Sequence, residues 1–181
     1  FAFDTETTSV NYMQAEIVGF SFAVEPGCAA YLPVAHDYPA APEQLSLETA
    51  LEALRVLLED PDIAIIGQNI KYDMSVLARY GVVMNGDLFD TMLESYVLNS
   101  VATRHNMDAL AGHYLGLKTI RYEDVAGKGA KQLTFNQVPL ETAADYAAED
   151  ADITLQLHQC LYPKLQAQPS LAQVFNDIDM P

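Results

Sequence analysis

The chain has 181 residues, 50% of them hydrophobic, enough to bury one sizeable core and short for two domains of ordinary size. It contains no apolar run of about 18 residues and no basic-then-apolar leader, which predicts a soluble, cytoplasmic protein with no membrane association. A net charge of −16 speaks against nucleic-acid binding through a generally basic surface. The distribution softens that objection, because five of the nine basic residues (Arg104, Lys118, Arg121, Lys128 and Lys131) fall within residues 101–131, a stretch of net charge +2 that leaves −18 elsewhere.

The first residue is Phe1 and a strand-like run begins at once, so the chain is expected to be a fragment of a longer one. FAFDTET alternates as a strand does, and EIVGFSFAV and CAAYLPVA predict two more, joined by short turns as an antiparallel meander. After the turn-rich HDYPAAPEQ, Ser46 is placed to N-cap a helix whose apolar positions Leu47, Leu51, Leu54, Leu57 and Leu58 recur at helical spacing, ending at Asp60-Pro61. Ile63 to Ile66 predicts a buried strand feeding a helix from about Asp73 to Tyr80, closed by Gly81. DTMLESYVLN and MDALAGHYLG carry helical patterns. The polar, glycine-bearing EDVAGKGAKQLTF predicts a mobile surface loop. A last long helix is expected from near Leu140 to about Tyr162, where Pro163 discourages continuation. Neither an internal repeat nor a second domain is visible. Cys28 and Cys160 lie far apart without CxxC spacing, signal neither a disulfide framework nor a zinc site, and read as reduced, buried small hydrophobes.

Three short motifs concentrate acids on these elements. In DTET, Asp4 and Glu6 stand two apart on a strand and project from one face, where they can share a cation. Acid pairs at this spacing are common in a chain with 25 acids, but one that follows Phe-Ala-Phe is costly to bury unless paired or ligated. In GQNIKYD a strand ends and a helix starts near Asp73, which reads equally well as a helix cap and as a functional acid; Gln68, Asn69 and Lys71 offer polar groups at the strand's carboxyl end, where ligands gather in α/β sheets. In DYAAEDAD, Tyr146 and Asp150 are four apart on the last helix and share a face, while Asp145, Glu149 and Asp152 point elsewhere, to surface or capping roles. A solvated acidic face is the plain alternative. His36 and His105 read as hydrogen-bonded structural residues, and GKGAK lacks the spacing of a nucleotide phosphate loop.

The order DxE, NxxxD and YxxxD is that of the proofreading exonuclease superfamily named for its four acids, in its tyrosine-bearing subgroup. PVAHDY, FDTMLESYVLNS, EDVAGKGAKQLTFNQ and YAAEDADITLQLH resemble the bacterial DNA polymerase I family in its Klenow part, over essentially the whole chain. The resemblance implies an α/β, ribonuclease H-like fold with a five-stranded mixed sheet flanked by helices, residues 1–181 forming a 3′-to-5′ exonuclease domain. Four strands are predicted above, and the short GDLF run near Leu88 is the candidate fifth. The implied chemistry is hydrolysis of 3′-terminal phosphodiesters of single-stranded or frayed DNA, releasing nucleoside 5′-monophosphates as proofreading in replication and repair. Two divalent cations are implied, Mg2+ before Mn2+ or Zn2+: Asp4 bridges both, Glu6 and Asp150 complete the tighter site, Asp73 holds the second largely through water, and Tyr146 orients the attacking water. Val10, Gln68, Asn69, Lys71, Tyr72, Arg104 and Tyr122 correspond to DNA contacts. Val10 stands where the family has a larger aliphatic wedge, and Tyr122 where it has phenylalanine. The implied partners are single-stranded DNA 3′ ends and a polymerase domain of the same chain, which is otherwise a monomer. An RNA 3′-end trimming nuclease with the same acids is one alternative, and a catalytically idle nucleic-acid-binding scaffold is another.

Overall fold

The computed structural model describes residues 1–180. Strands β1 (Ala2–Thr7), β2 (Ile17–Glu25) and β3 (Cys28–Pro33) form the expected antiparallel meander. β4 (Ile65–Gly67) pairs parallel with β1, and β5 (Leu88–Asp90), the GDLF strand, pairs parallel with β4. The result is a five-stranded mixed sheet in the order β3-β2-β1-β4-β5.

Strand alternation sends β1 side chains to two different cores. Phe3 stacks near Phe20, with ring centroids 6.1 Å apart, and packs with the buried faces of α1 (Leu47–Leu58) and α2 (Ile70–Ala78) through Leu51, Leu54, Leu58, Val76 and Leu77. Ala2, two residues before Asp4, faces the opposite way and packs with Ala151 and Leu155 of the long helix α6 (Leu140–Gln166). Val18 on β2 meets Ala143 and Ala147 of the same helix. Ala143, Ala147 and Ala151 therefore form a stripe of small residues along α6, which lets the helix lie close against β1 and β2. Helix α3 (Thr91–Leu98) and the short α4 (Met107–Leu110), which continues as a π-helical turn Ala111–Leu115, complete the α6 side, where Leu110 and Ala111 pack on Ile153, Leu157 and Leu161.

Ser46 caps α1 as expected, its hydroxyl accepting from the Thr49 amide at 3.1 Å. The start of α2 differs: it begins at Ile70, so Asp73 lies inside its first turn and is not the cap. The amides at that end are taken by Asp90 instead. Its buried carboxylate accepts from the backbone N–H groups of Asn69 at 2.9 Å and Ile70 at 3.0 Å, and also caps α3 through Met92 at 2.9 Å. One side chain thus holds two helix N-termini beside β4 and β5.

Helix α6 continues past Tyr162 to Gln166. Pro163 is exposed, and so is Gln159, whose carbonyl the missing amide would have met, so the lost bond lies on the solvent side while Leu161 and Leu165 keep the helix seated on its core. The segment expected as a mobile loop carries helix α5 (Tyr122–Ala126) and two 3-10 turns, Gly129–Lys131 and Phe135–Gln137, because Ala126 and Phe135 are buried and anchor it. The chain ends with α7 (Pro169–Val174) and a π-helical turn Phe175–Asp179. Neither cysteine is buried: Cys28 lies exposed on edge strand β3, and Cys160 is half-buried under the Lys164 ammonium. No helix among the described residues is long and apolar enough to cross a membrane.

Replacing Asp90 by Ala strands several amide donors in a site only 2% exposed. Asp90→Ala is expected to lower stability by about 2–4 kcal/mol in urea unfolding, with Asp90→Asn losing less because its amide oxygen still accepts. A loss under about 0.5 kcal/mol, the range of ordinary surface substitutions, would show that these caps do not hold the helices.

Candidate active site

Asp4 and Glu6 share with Ala2 the β1 face turned toward α6, and α6 presents Tyr146 and Asp150 one turn apart over them. The strand register slips between Glu6 and Thr7, a bulge at the strand end nearest the acids. Asp73 approaches from α2 and is held by Thr5, whose backbone N–H and hydroxyl both donate to its Oδ1, at 2.9 and 2.5 Å. Asp73 is 1% and Glu6 8% exposed, whereas Asp4 and Asp150 are half-buried.

Their charges act on one another. Burial, then the Asp150 charge, pushes the Asp4 carboxyl up to about 8, with the Thr5 amide opposing. Glu6 is raised well above the usual carboxylate range by burial and then by Asp4, Asp150 and Asp73. Asp73 is raised by burial and Asp4 against the pull of Thr5, and Asp150 to about 7 by burial, with the Tyr146 hydroxyl opposing. The Tyr146 phenol is raised in turn by burial and by Asp150, Glu6 and Asp4, so it keeps its proton at neutral pH. The sequence-predicted quartet and its tyrosine are therefore one electrostatic cluster.

This cluster lacks compensating positive charge. Oε1 of Glu6 is buried with no hydrogen-bond partner, and neighbouring Tyr31, whose ring fills the space a side chain at Gly19 would need, turns its hydroxyl to His36 Nε2 at 2.8 Å instead. His36 Nδ1 faces the Val138 carbonyl at 3.1 Å, the structural role expected of it; His105 is likewise bonded, to Ser95 and the Ser100 carbonyl. Among the described residues, no three carboxylate, imidazole or thiol groups are already drawn together as a coordination shell. The donor set, all carboxylate oxygen with one buried oxygen unpartnered, nonetheless suits a hard divalent cation.

A groove of about 790 Å³ opens at the cluster, lined by Asp4, Glu6 and Tyr146 and by Val10, Asn69, Tyr72 and Tyr122 among the predicted contacts. Val10 stands 96% exposed on its rim. Tyr122 stacks on Phe135 and meets Tyr146 edge-on, with ring centroids 6.2 Å apart. The Tyr72 hydroxyl bonds Thr7 at 2.5 Å and donates to the Ser9 carbonyl. Asn69 takes a left-handed conformation (φ 60°), which asparagine adopts more readily than other non-glycine residues. Three predicted contacts lie off this groove. Gln68 is engaged elsewhere, donating to the His105 carbonyl at 2.9 Å and accepting from the Thr91 hydroxyl; Lys71 is exposed in an adjoining depression; Arg104 is exposed without an ion pair among the described residues. The groove also takes in Asn106, Gln132, Leu133 and Thr134, which sequence reasoning did not single out. Asn106 carries only the signature of a cap, which it is for Ala109, and the other three fall inside the stretch expected as a loop. Glu149 and Asp152 face away, accepting from the amides of Ile120 at 2.6 Å and Gly27 at 2.7 Å, and Asp145 is exposed.

Comparison with known proteins bears on the family and the fold. The 3'-5' exonuclease family model matches residues 1–166. DNA polymerase I of Pseudomonas aeruginosa is 60% identical over 182 residues, covering 99% of this chain and 20% of that protein. DNA polymerase I of Rhizobium leguminosarum is 42% identical, covering 99% and 19%. The chain thus spans about a fifth of the length of these curated relatives. Among solved structures, the POL domain of Pol1 from M. smegmatis in complex with DNA primer-template and dNTP superposes with a TM-score of 0.69 at 19% identity, over 96% of this chain and 25% of that one. Brucella melitensis NrnC with bound Mg2+ gives 0.67 at 19%, over 95% and 76%. These likenesses establish the ribonuclease H-like fold.

All four acids bind protons more tightly in the folded chain than in the unfolded one. Without divalent cations their contribution to stability is therefore fully present below the ordinary carboxylate values of about 4 and is lost progressively as pH rises from there through about 7 to 8. Burial lowers His36, which acts oppositely below its ordinary value but with one proton against those of the four acids. In EDTA, the urea midpoint is expected to fall between about pH 5 and 8, less so in Asp4→Asn or with Mg2+ present. A flat profile in EDTA would contradict the repulsive cluster.

Proposed function

The chain belongs to the 3'-5' exonuclease family in the form carried by DNA polymerase I, and from that premise we propose that it hydrolyses 3′-terminal phosphodiesters of single-stranded or frayed DNA, releasing nucleoside 5′-monophosphates, as the proofreading part of a longer, cytoplasmic polymerase chain. The observation that supports this reading best is the mutual electrostatic contact of Asp4, Glu6, Asp73, Asp150 and Tyr146, of which Asp4, Glu6 and Tyr146 line an open groove, with a buried Glu6 oxygen left unpartnered.

In this reading Asp4, Glu6 and Asp150 hold two divalent cations directly, Mg2+ being the natural choice, and Asp73, tied to Thr5, serves as an outer partner. When bound, the ions supply the positive charge that acidifies water and offsets charge on the departing 3′ oxygen. The new bond joins the water oxygen to phosphorus, the bond from phosphorus to the 3′ oxygen breaks, and that oxygen takes up a proton. Tyr146 aims the attacking water. Because burial and the neighbouring acids raise its phenol, it orients by donating and accepting hydrogen bonds and does not act as a base. Val10, Tyr72 and Tyr122 give the terminal nucleotides apolar and aromatic faces, Asn69 a polar contact at the groove wall, and Lys71 and Arg104 phosphate contacts. Gln68, engaged with the His105 carbonyl, positions the segment carrying Arg104.

The test is digestion of 5′-labelled single-stranded DNA and RNA of matched sequence with Mg2+ or Mn2+. The expected result is a ladder shortening from the 3′ end of DNA, with Asp4→Ala and Asp150→Ala slowed at least about 100-fold and Tyr146→Phe about 10- to 100-fold. A strong preference for RNA would favour the RNA-trimming reading, since carboxylates cannot tell the two sugars apart. No end degradation with either metal would favour an idle scaffold.

A further inference from the structure

Beside the groove lies a second depression of about 380 Å³, lined by Tyr12, Lys71 and Ser75 and sharing Asn69 and Tyr72 as its wall with the groove. Its rim is the β1–β2 loop. That loop is built to be stiff: the Met13 amide donates to Asn11 Oδ1 at 3.1 Å, the amides of Gln14 and Ala15 both donate to the Asn11 carbonyl at 2.9 Å, and the Asn11 amide meets Ser9 Oγ. Arg79, from the far end of α2, donates to the Tyr12 carbonyl at 2.9 Å and to the Ala15 carbonyl, and pairs with Glu16. The turn so fixed leaves the Tyr12 side chain 45% exposed, without a hydrogen-bond partner for its hydroxyl among the described residues. An aromatic ring on a braced loop has little motion left to lose when a flat ligand stacks on it.

The charge in the depression points the same way. In a chain of net charge −16, the Lys71 ammonium is exposed and, like those of Lys118 and Lys131 and the Arg104 guanidinium, makes no ion pair among the described residues; Lys71 alone of these lines the depression. An unpaired cation next to an exposed aromatic ring is the combination that binds single-stranded nucleic acid, stacking the base and meeting the phosphate without reading sequence. The depression and the groove share Asn69 and Tyr72 as lining, and Tyr72 is held there by Thr7 and Ser9.

We propose that this depression is an upstream subsite for the same DNA strand, in which Tyr12 stacks the base of a nucleotide lying 5′ to those in the groove and Lys71 meets its phosphate. The inference rests on the exonuclease reading for the identity of the strand, and it adds Tyr12 as a residue that sets how substrate length affects binding. Ser75, whose hydroxyl is turned to the Lys71 carbonyl at 2.7 Å, leaves the floor small.

The experiment compares two-nucleotide and eight-nucleotide oligothymidylates. Tyr12→Ala is expected to lower the ratio of kcat/KM for the longer over the shorter oligomer about 5- to 20-fold, mainly through KM, and Tyr12→Phe to restore it. Fluorescence polarisation with labelled oligothymidylates in EDTA reads the subsite independently of hydrolysis: the same weakening for the longer oligomer is expected with Tyr12→Ala, and Lys71→Ala lowers the slope of log affinity against log salt by about 0.7. An unchanged length ratio together with unchanged binding of the eight-nucleotide oligomer in Tyr12→Ala would overturn the subsite. Binding that depends on Tyr12 in a chain that hydrolyses neither oligomer would keep the subsite and overturn the exonuclease reading.

Discussion

Ala143, Ala147 and Ala151 let α6 lie against β1 and β2 with little side chain between them, and that close approach sets Asp150 and Tyr146 over Asp4 and Glu6. Bulkier residues along the stripe would lift the helix and with it half of the cluster. The opposite face supplies the rigid backing: Phe3 and Phe20 pack under the same strands against α1 and α2, and α2 brings Asp73 to Thr5. Asp90, holding the starts of α2 and α3 together, fixes where the Asn69 to Asp73 turn stands relative to the strand ends. The site depends on three tight junctions between elements that lie far apart in the chain.

That geometry carries an electrostatic penalty. Four carboxylates crowd a partly dry region, and each close pair of ionised groups costs about 1 kcal/mol at 4 Å even in water and more where water is excluded. The raised carboxyls of Asp4 and Glu6 carry this cost on top of the larger effect of burial, and the unpartnered Glu6 oxygen marks where compensation is missing. Elsewhere the buried acids have partners that these lack: Asp90 accepts from backbone amides, and Glu94, though its Oε2 is also unpartnered, meets His158 through Oε1 at 2.6 Å. Such a cluster, in a chain that belongs to an exonuclease family, fits a site shaped by its ligand.

Much of this was legible in the sequence because it depends on local periodicity. The two-residue spacing of Asp4 and Glu6 placed them on one strand face, and the four-residue spacing of Tyr146 and Asp150 placed them on one helix face. The meander and the Ser46 cap followed from patterning of the same kind, whereas the GDLF strand followed only from the fifth strand that the family resemblance implies. What escaped depended on distant partners. The cap alternative for Asp73 stayed open because the true partner of that helix end, Asp90, lies 17 residues further along the chain. Pro163 looked like a stop because nothing local shows that its face is solvent while Leu161 and Leu165 stay buried. Phe135 pins the supposed loop only once β2 and α6 surround it, and Tyr12 gains meaning only when Arg79 braces its turn.

The central claim is that the acid cluster is incomplete without divalent cations, and direct binding tests it most plainly. Titrating the chain with Mn2+ and following loss of the free-ion electron paramagnetic resonance signal should show two bound ions per chain, with binding lost in Asp4→Ala. Absence of Mn2+ binding to the unaltered chain, or equal binding by Asp4→Ala, would contradict the account.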